Sequence, residues 1–252
     1  MADRQRLLDE LVRRLSAALG EDLVSVVLYG SAAAGDFQER ASDLNVLAVL
    51  SDIGETQLER ARGPVGWWIQ RKQPAPVLLS VEEIENASDA FAIEFIDIRA
   101  AYRILHGQDL VTSIEIESAH HRHQVEHELR SLLLRLRERY LGLQEDSKAV
   151  RTLMTESLPS FSTLIRHALI LAGQSTSVKK HEVFLQAARE FGIRAEPFET
   201  VLALRAGAKR IGNAEVRPLF LAYLREITAM AAHVDRIDKE ASGAEGRPHG
   251  RE

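Results

Sequence analysis

The chain has 252 residues, 45% of them hydrophobic and 27% charged, the balance of an ordinary soluble globular protein with one large domain or two small ones. With 32 Lys and Arg against 37 Asp and Glu, its net charge of −5 gives no overall attraction for nucleic acid, so a nucleic-acid partner is not expected outside a local basic groove. The absence of cysteine excludes disulfides, thiolate metal sites and thiol nucleophiles, and suits a reducing compartment.

The first residues, Met1 to Arg6, are charged at once and lack an apolar signal core. The longest uncharged apolar stretch, Leu23 to Gly35, is too short to span a bilayer. A cytoplasmic protein without a membrane partner is the expectation. Leu7, Leu8, Leu11, Val12 and Leu15 recur at helical spacing and predict an amphipathic helix over 3–19, closed by Gly20. Two strands follow, Leu23–Tyr29 and Leu44–Leu50. Glu55 to Lys72 has helical character, which Gly63-Pro64 and Gly66 are expected to break into two pieces. Pro76 to Ser80 reads as a short strand, Val81 to Ile84 opens a helix, and Tyr102 to Gly107 reads as a last strand. The apolar segment Phe91–Ile98 fits helix and strand equally.

Beyond about residue 110 only helical periodicity remains, over roughly 125–140, 148–171, 181–191, 198–209 and 216–239. Residues 241–252, with three glycines, a proline and alternating charges, read as a disordered tail. The expected organisation is an α+β domain over 1–110, a mixed sheet with flanking helices, then an all-helical domain over 111–240 and the tail.

Tyr29-Gly30-Ser31 ends the first strand, and Ser42-Asp43-Leu44-Asn45 leads into the second. The order strand, Gly-Ser, loop, Ser-Asp-x-acid, strand resembles the signature of the polymerase-β-like nucleotidyltransferase superfamily. Its small-molecule and minimal members, among them aminoglycoside-modifying and toxin–antitoxin-associated enzymes, pair such a domain with a C-terminal helical one. In that family the Gly-Ser turn holds a nucleoside triphosphate and two carboxylates on the second strand bind magnesium. Carried onto this chain, Gly30, Ser31 and Ser42 would bind the nucleotide, Asp43 would hold Mg2+, and Asp43 and Asn45 would occupy the catalytic pair.

The chemistry explains the residue types. Transfer from a triphosphate needs phosphate charge neutralised and an attacking oxygen activated, and magnesium is held for both by hard oxygen ligands. Positions 43 and 45 share one face of a strand. Glycine lets backbone approach a phosphate closely. Asn45 departs from the pattern, since its amide oxygen can coordinate a metal but brings no charge. A lost contact of about 4 kcal/mol would slow the chemical step roughly a thousandfold. The resemblance also implies a third carboxylate facing the pair. The strand Val77–Ser80 carries no acid, and Glu94 and Asp97 are the nearest candidates. Two functions stand: transfer of a nucleoside monophosphate to a small-molecule or protein hydroxyl, or a degenerate member that binds nucleotide or a protein partner as a regulator.

His123-Gln124-Val125-Glu126-His127 matches the H-x-x-E-H zinc pattern, yet it equally fits a surface helix with Val125 inward, and the surface reading is preferred. Trp67-Trp68 could stack on a base but more often such residues fill a core. The arginines at 130, 135, 137 and 139 alternate with acids, as on a salt-bridged helix face. No Ser-His-Asp signature, GxGxxG or Walker A loop occurs.

Overall fold

The computed structural model describes residues 2–33, 43–86, 90–177 and 179–245. The chain divides into two compact units, Met1–His120 and His121–Glu252. Among the described residues no helix is long and apolar enough to cross a membrane.

The first unit is built on a four-stranded sheet of order β3-β2-β1-β4, with β1 Leu23–Tyr29, β2 Asn45–Leu50, β3 Val77–Ser80 and β4 Tyr102–Gly107. β1 runs antiparallel to β2 and β4, while β2 and β3 are parallel. Strand alternation sorts the side chains onto two faces. Val26, Leu28, Val46, Ala48 and Leu50 pack with Leu8, Leu11 and Leu15 of helix α1 (Ala2–Leu19) and with Ala61 and Trp68 of α2 (Glu55–Ile69). Val27, Leu47 and Val49 face the other way, toward Ile84 of α3 (Val81–Asn86), Phe95 and Ile98 of α4 (Ala92–Ala100), and Val111 and Ile114 beyond β4. Both faces of the central strands are thus buried, which accounts for their nearly continuous apolar sequences.

Helix α2 corrects the expectation of two broken pieces. It is continuous through Pro64, which is buried with Ala61 and Trp68 on the core side. Proline forfeits one helix hydrogen bond, and Gly63 and Gly66 weaken the helix, but burying Trp68 completely returns roughly 1.5–3 kcal/mol or more. A reciprocal cap starts α3: the Ser80 amide donates to Glu83 Oε2 at 2.7 Å, and the Glu83 amide to Ser80 Oγ at 3.0 Å.

The second unit contains helices α5 (Ser118–Gly142), α6 (Ser147–Leu171), α7 (Lys180–Phe191), α8 (Glu196–Arg205) and α9 (Asn213–Glu245). The side chain of Asp146 caps α6 by accepting from the Lys148 and Ala149 amides. α6 is the central helix, packed against α7, α8 and α9. Phe161, Phe184, Phe198, Phe220 and Tyr223 are fully buried there, with Phe184 stacked on Phe198 at 4.7 Å between ring centres. Burial pushes the Tyr223 phenol upward, and its hydroxyl meets Ser157 Oγ at 3.2 Å. His121 Nε2 lies 2.8 Å from Nδ1 of buried His167, whose Nε2 is 3.1 Å from Arg166 Nη2. α9 continues to Glu245, into the stretch expected to be a tail, and residues 246–252 lie outside the described part.

Candidate functional site

The site forms where β1 ends and β2 begins. Tyr29 pairs directly with Asn45, so the Gly-Ser turn and Asp43 meet at one end of the sheet, as the motif requires. Leu44 anchors the entry to β2. Its side chain is buried toward α1 and α2, and its amide donates to Gln73 Oε1 at 3.0 Å. With Leu44 fixed, strand alternation directs positions 43 and 45 to the opposite face. There Asp43 is exposed and Asn45 half-buried.

Gly30 opens a single 3-10 turn, Gly30–Ala32. Its φ of +77° is a conformation that suits glycine. Its amide donates to the Ala101 carbonyl at 2.9 Å, which ties the turn to the segment joining α4 and β4. A Cβ on Gly30 would lie 3.3 Å from Asn45 Nδ2, so the Asn45 carboxamide rests directly against the turn. Ser31 contributes backbone to that turn. Ser42 lies outside the described residues.

The apolar segment that fitted either structure is helix α4, and it covers the same sheet face as Asn45. Its acids Glu94 and Asp97 stand one turn apart. Both reach the end of β1 electrostatically: burial first, then the Asp97 carboxylate, then that of Glu94, push the Tyr29 phenol above its ordinary range. Glu94 is exposed and Asp97 half-buried. The sequence exposed these acids as candidates but could not assign their element. Gln73 and the Ala101 carbonyl carried no signal at all.

Among the described residues no group of three or more His, Cys, Asp and Glu side chains could hold a metal ion. Among the described residues the donors beside the turn are one carboxylate, Asp43, and one neutral carboxamide, Asn45. That set fits a single magnesium ion that shares its coordination with a triphosphate. It does not fit the pair of ions that two adjacent carboxylates would hold.

The remaining candidates are placed as follows. His123 and His127 are exposed on α5, whose buried side carries Val125 and Leu129. Trp68 is core, its indole N–H donating to the Pro74 carbonyl at 2.8 Å. Trp67 carries the guanidinium groups of Arg14 and Arg71 over its ring, 4.5 and 4.0 Å from the centre. Two cavities, of about 460 and 480 Å³, lie within the helical unit. The first is bordered by Tyr140, Glu145, Asn213 and Arg217, the second by Phe191, His233 and Arg236, and neither touches the Gly30 turn.

No protein-family model and no curated protein matches this chain. Its backbone is similar to the crystal structure of spectinomycin adenyltransferase AAD(9) from Enterococcus faecialis with ATP and spectinomycin. The TM-score is 0.56 at 13% identity, over 90% of this chain and 98% of that one. The chain shares the fold of that adenyltransferase. In this fold the sheet stands in the N-terminal unit and the C-terminal unit is helical.

Proposed function

We propose that this chain binds a nucleoside triphosphate at the Gly30 end of its sheet and transfers the nucleoside monophosphate to a hydroxyl of a small molecule or protein. The pairing of Tyr29 with Asn45 carries the reading, because it collects Gly30, Asp43 and Asn45 at one sheet end. The similar structure holds ATP and spectinomycin, which supports a triphosphate donor and favours a small-molecule acceptor over a protein.

In this reaction the acceptor oxygen forms a bond to the α-phosphorus, the bond to the bridging oxygen breaks, and pyrophosphate departs. The acceptor's proton passes to a carboxylate of α4, with Asp97, the less exposed of the two, in that role. Gly30, by leaving the space beside the turn open, and Ser31 receive the phosphates, and Ser42 is assigned to the same nucleotide. Asp43 would hold a magnesium ion, which supplies neutralisation of phosphate charge when bound.

Asn45 favours a second reading, a nucleotide- or protein-binding regulator that does not turn over, since the catalytic pair retains only one charge. Calorimetric titration with ATP, GTP, CTP and UTP in magnesium tests the site. Wild type should bind at least one, and Asp43→Ala should weaken that binding at least about tenfold. Absence of binding by the wild type sinks the nucleotide site and leaves a protein-partner role. Pyrophosphate release in the presence of candidate hydroxyl acceptors then separates the enzyme from the regulator.

A further inference from the structure

We infer that Asn45 is a direct phosphate ligand, so that this chain grips a triphosphate partly through a neutral carboxamide where a second metal ion would otherwise stand. The inference rests on the nucleotide-site reading above and deepens it.

Three observations carry it. First, the Gly30 amide is already engaged, donating to the Ala101 carbonyl at 2.9 Å, so this backbone donor is not available to an anion. Second, Asn45 Nδ2 lies 3.3 Å from where a Gly30 side chain would begin, which sets an N–H donor beside the turn. Third, Asn45 is half-buried and pinned by its pairing with Tyr29, so its position is set by the sheet. A carboxylate at the same place would repel a phosphate unless a cation stood between them. A carboxamide needs none, because its N–H groups point to the phosphate oxygens directly.

The chemical consequence is a change in how affinity depends on magnesium. With two carboxylates, triphosphate binding without the metal is opposed by both charges. With Asp43 alone opposing and Asn45 donating, binding persists when magnesium is withdrawn. The other acids of this face, Asp97 and Glu94, lie around Tyr29 on α4 and are the same in every variant below.

The test is calorimetric titration with each of ATP, GTP, CTP and UTP, once in magnesium and once in EDTA, on wild type and three variants. Asn45→Ala removes the donor, Asn45→Ser keeps a shorter one, and Asn45→Asp restores the second charge. Wild type should bind in both media. Asn45→Ala should bind about tenfold more weakly by a similar factor in both, since a hydrogen bond to a charged group is worth about that much. Asn45→Ser should recover part of the loss. Asn45→Asp should bind only in magnesium. The inference is overturned if Asn45→Ala matches wild type, or if wild-type binding vanishes in EDTA, because Asn45 would then act through the ion. Wild type that binds nothing in either medium removes the nucleotide site itself, and the inference with it.

Discussion

Two glycines with nearly the same backbone conformation should respond very differently to one added methyl group. Gly30 has φ +77° and Gly107 has φ +76°, so alanine at either costs about 1–2 kcal/mol from the left-handed conformation alone. At Gly30, among the described residues, the new Cβ would meet Asn45 Nδ2 alone, at 3.3 Å, the end of a side chain that can rotate away. At Gly107 it would stand 1.9 Å from the Val24 carbonyl oxygen and 2.9 Å from its carbon, which are backbone atoms of β1. Relief there requires β4 to separate from β1, so the total should exceed about 3 kcal/mol. Urea unfolding followed by tryptophan fluorescence is the suitable assay. The chain has 2 tryptophans, Trp67 and Trp68, and both are on α2, so the signal reports the sheet unit alone. With an m value of about 1.5 kcal/mol/M, Gly30→Ala should lower the midpoint by about 1 M and Gly107→Ala by about 2 M or more. Gly30→Ala should also weaken triphosphate binding by displacing the carboxamide. Equal midpoints for the two variants, or a Gly107→Ala protein as stable as the wild type, would refute the β1–β4 register and the reasoning built on it.

Ultraviolet titration of Tyr29 provides a second check: Asp97→Asn should bring its phenol down toward the ordinary range, and Glu94→Gln should do so by less. If Asp97 takes the acceptor's proton, Asp97→Asn should also cut transfer by about a hundredfold or more, while an unchanged rate moves that role elsewhere. Burial and then Arg236 hold the His233 imidazole below its ordinary value. The unfolded chain therefore binds the extra proton, so stability from this group is full above pH ~6.5 and declines as pH falls toward the folded value. Thermal melts between pH 5 and 8 should show this slope, and His233→Gln should flatten it. His123 and His127 should hold no zinc, and stoichiometric zinc that disappears in His127→Ala would contradict their reading as surface residues.

The place of the Gly30 turn and of Asn45 in the sheet could be read from the sequence because its determinants are local. The apolar runs that flank Gly30 and Asp43 are short, rich in Val and Leu and bounded by turn residues, as strands are, and the short connection between them made neighbouring strands of one sheet the simple solution. Asn45 was visible as the departure from the pattern. Less was legible where packing overrides local preference. Gly63, Pro64 and Gly66 disfavour a helix individually, yet the buried Trp68 and Pro64 hold α2 together as one. In α4, Ala92, Ile93, Phe95 and Ile98 are all buried, so too many positions are apolar for a period to emerge over nine residues. The bond from the Leu44 amide to Gln73 joins residues 29 apart, and nothing in the glutamine's neighbourhood announces it.

The buried histidines of the helical unit have a consequence of their own. A guanidinium can only donate, so His167 must offer Nε2 as a lone pair to Arg166 and carry its hydrogen on Nδ1. That hydrogen points at His121 Nε2, which must accept it and leave the second ring's hydrogen on Nδ1 as well. With both rings neutral, the donation runs one way, from arginine through one imidazole to the next, and both rings carry their hydrogen on Nδ1. Substituting glutamine for His167 would place the two roles on different atoms with different reach, so the relay has no simple replacement. Nitrogen-15 spectra of the two rings would show this shared tautomer as matching protonated Nδ1 signals from the interior of the helical unit.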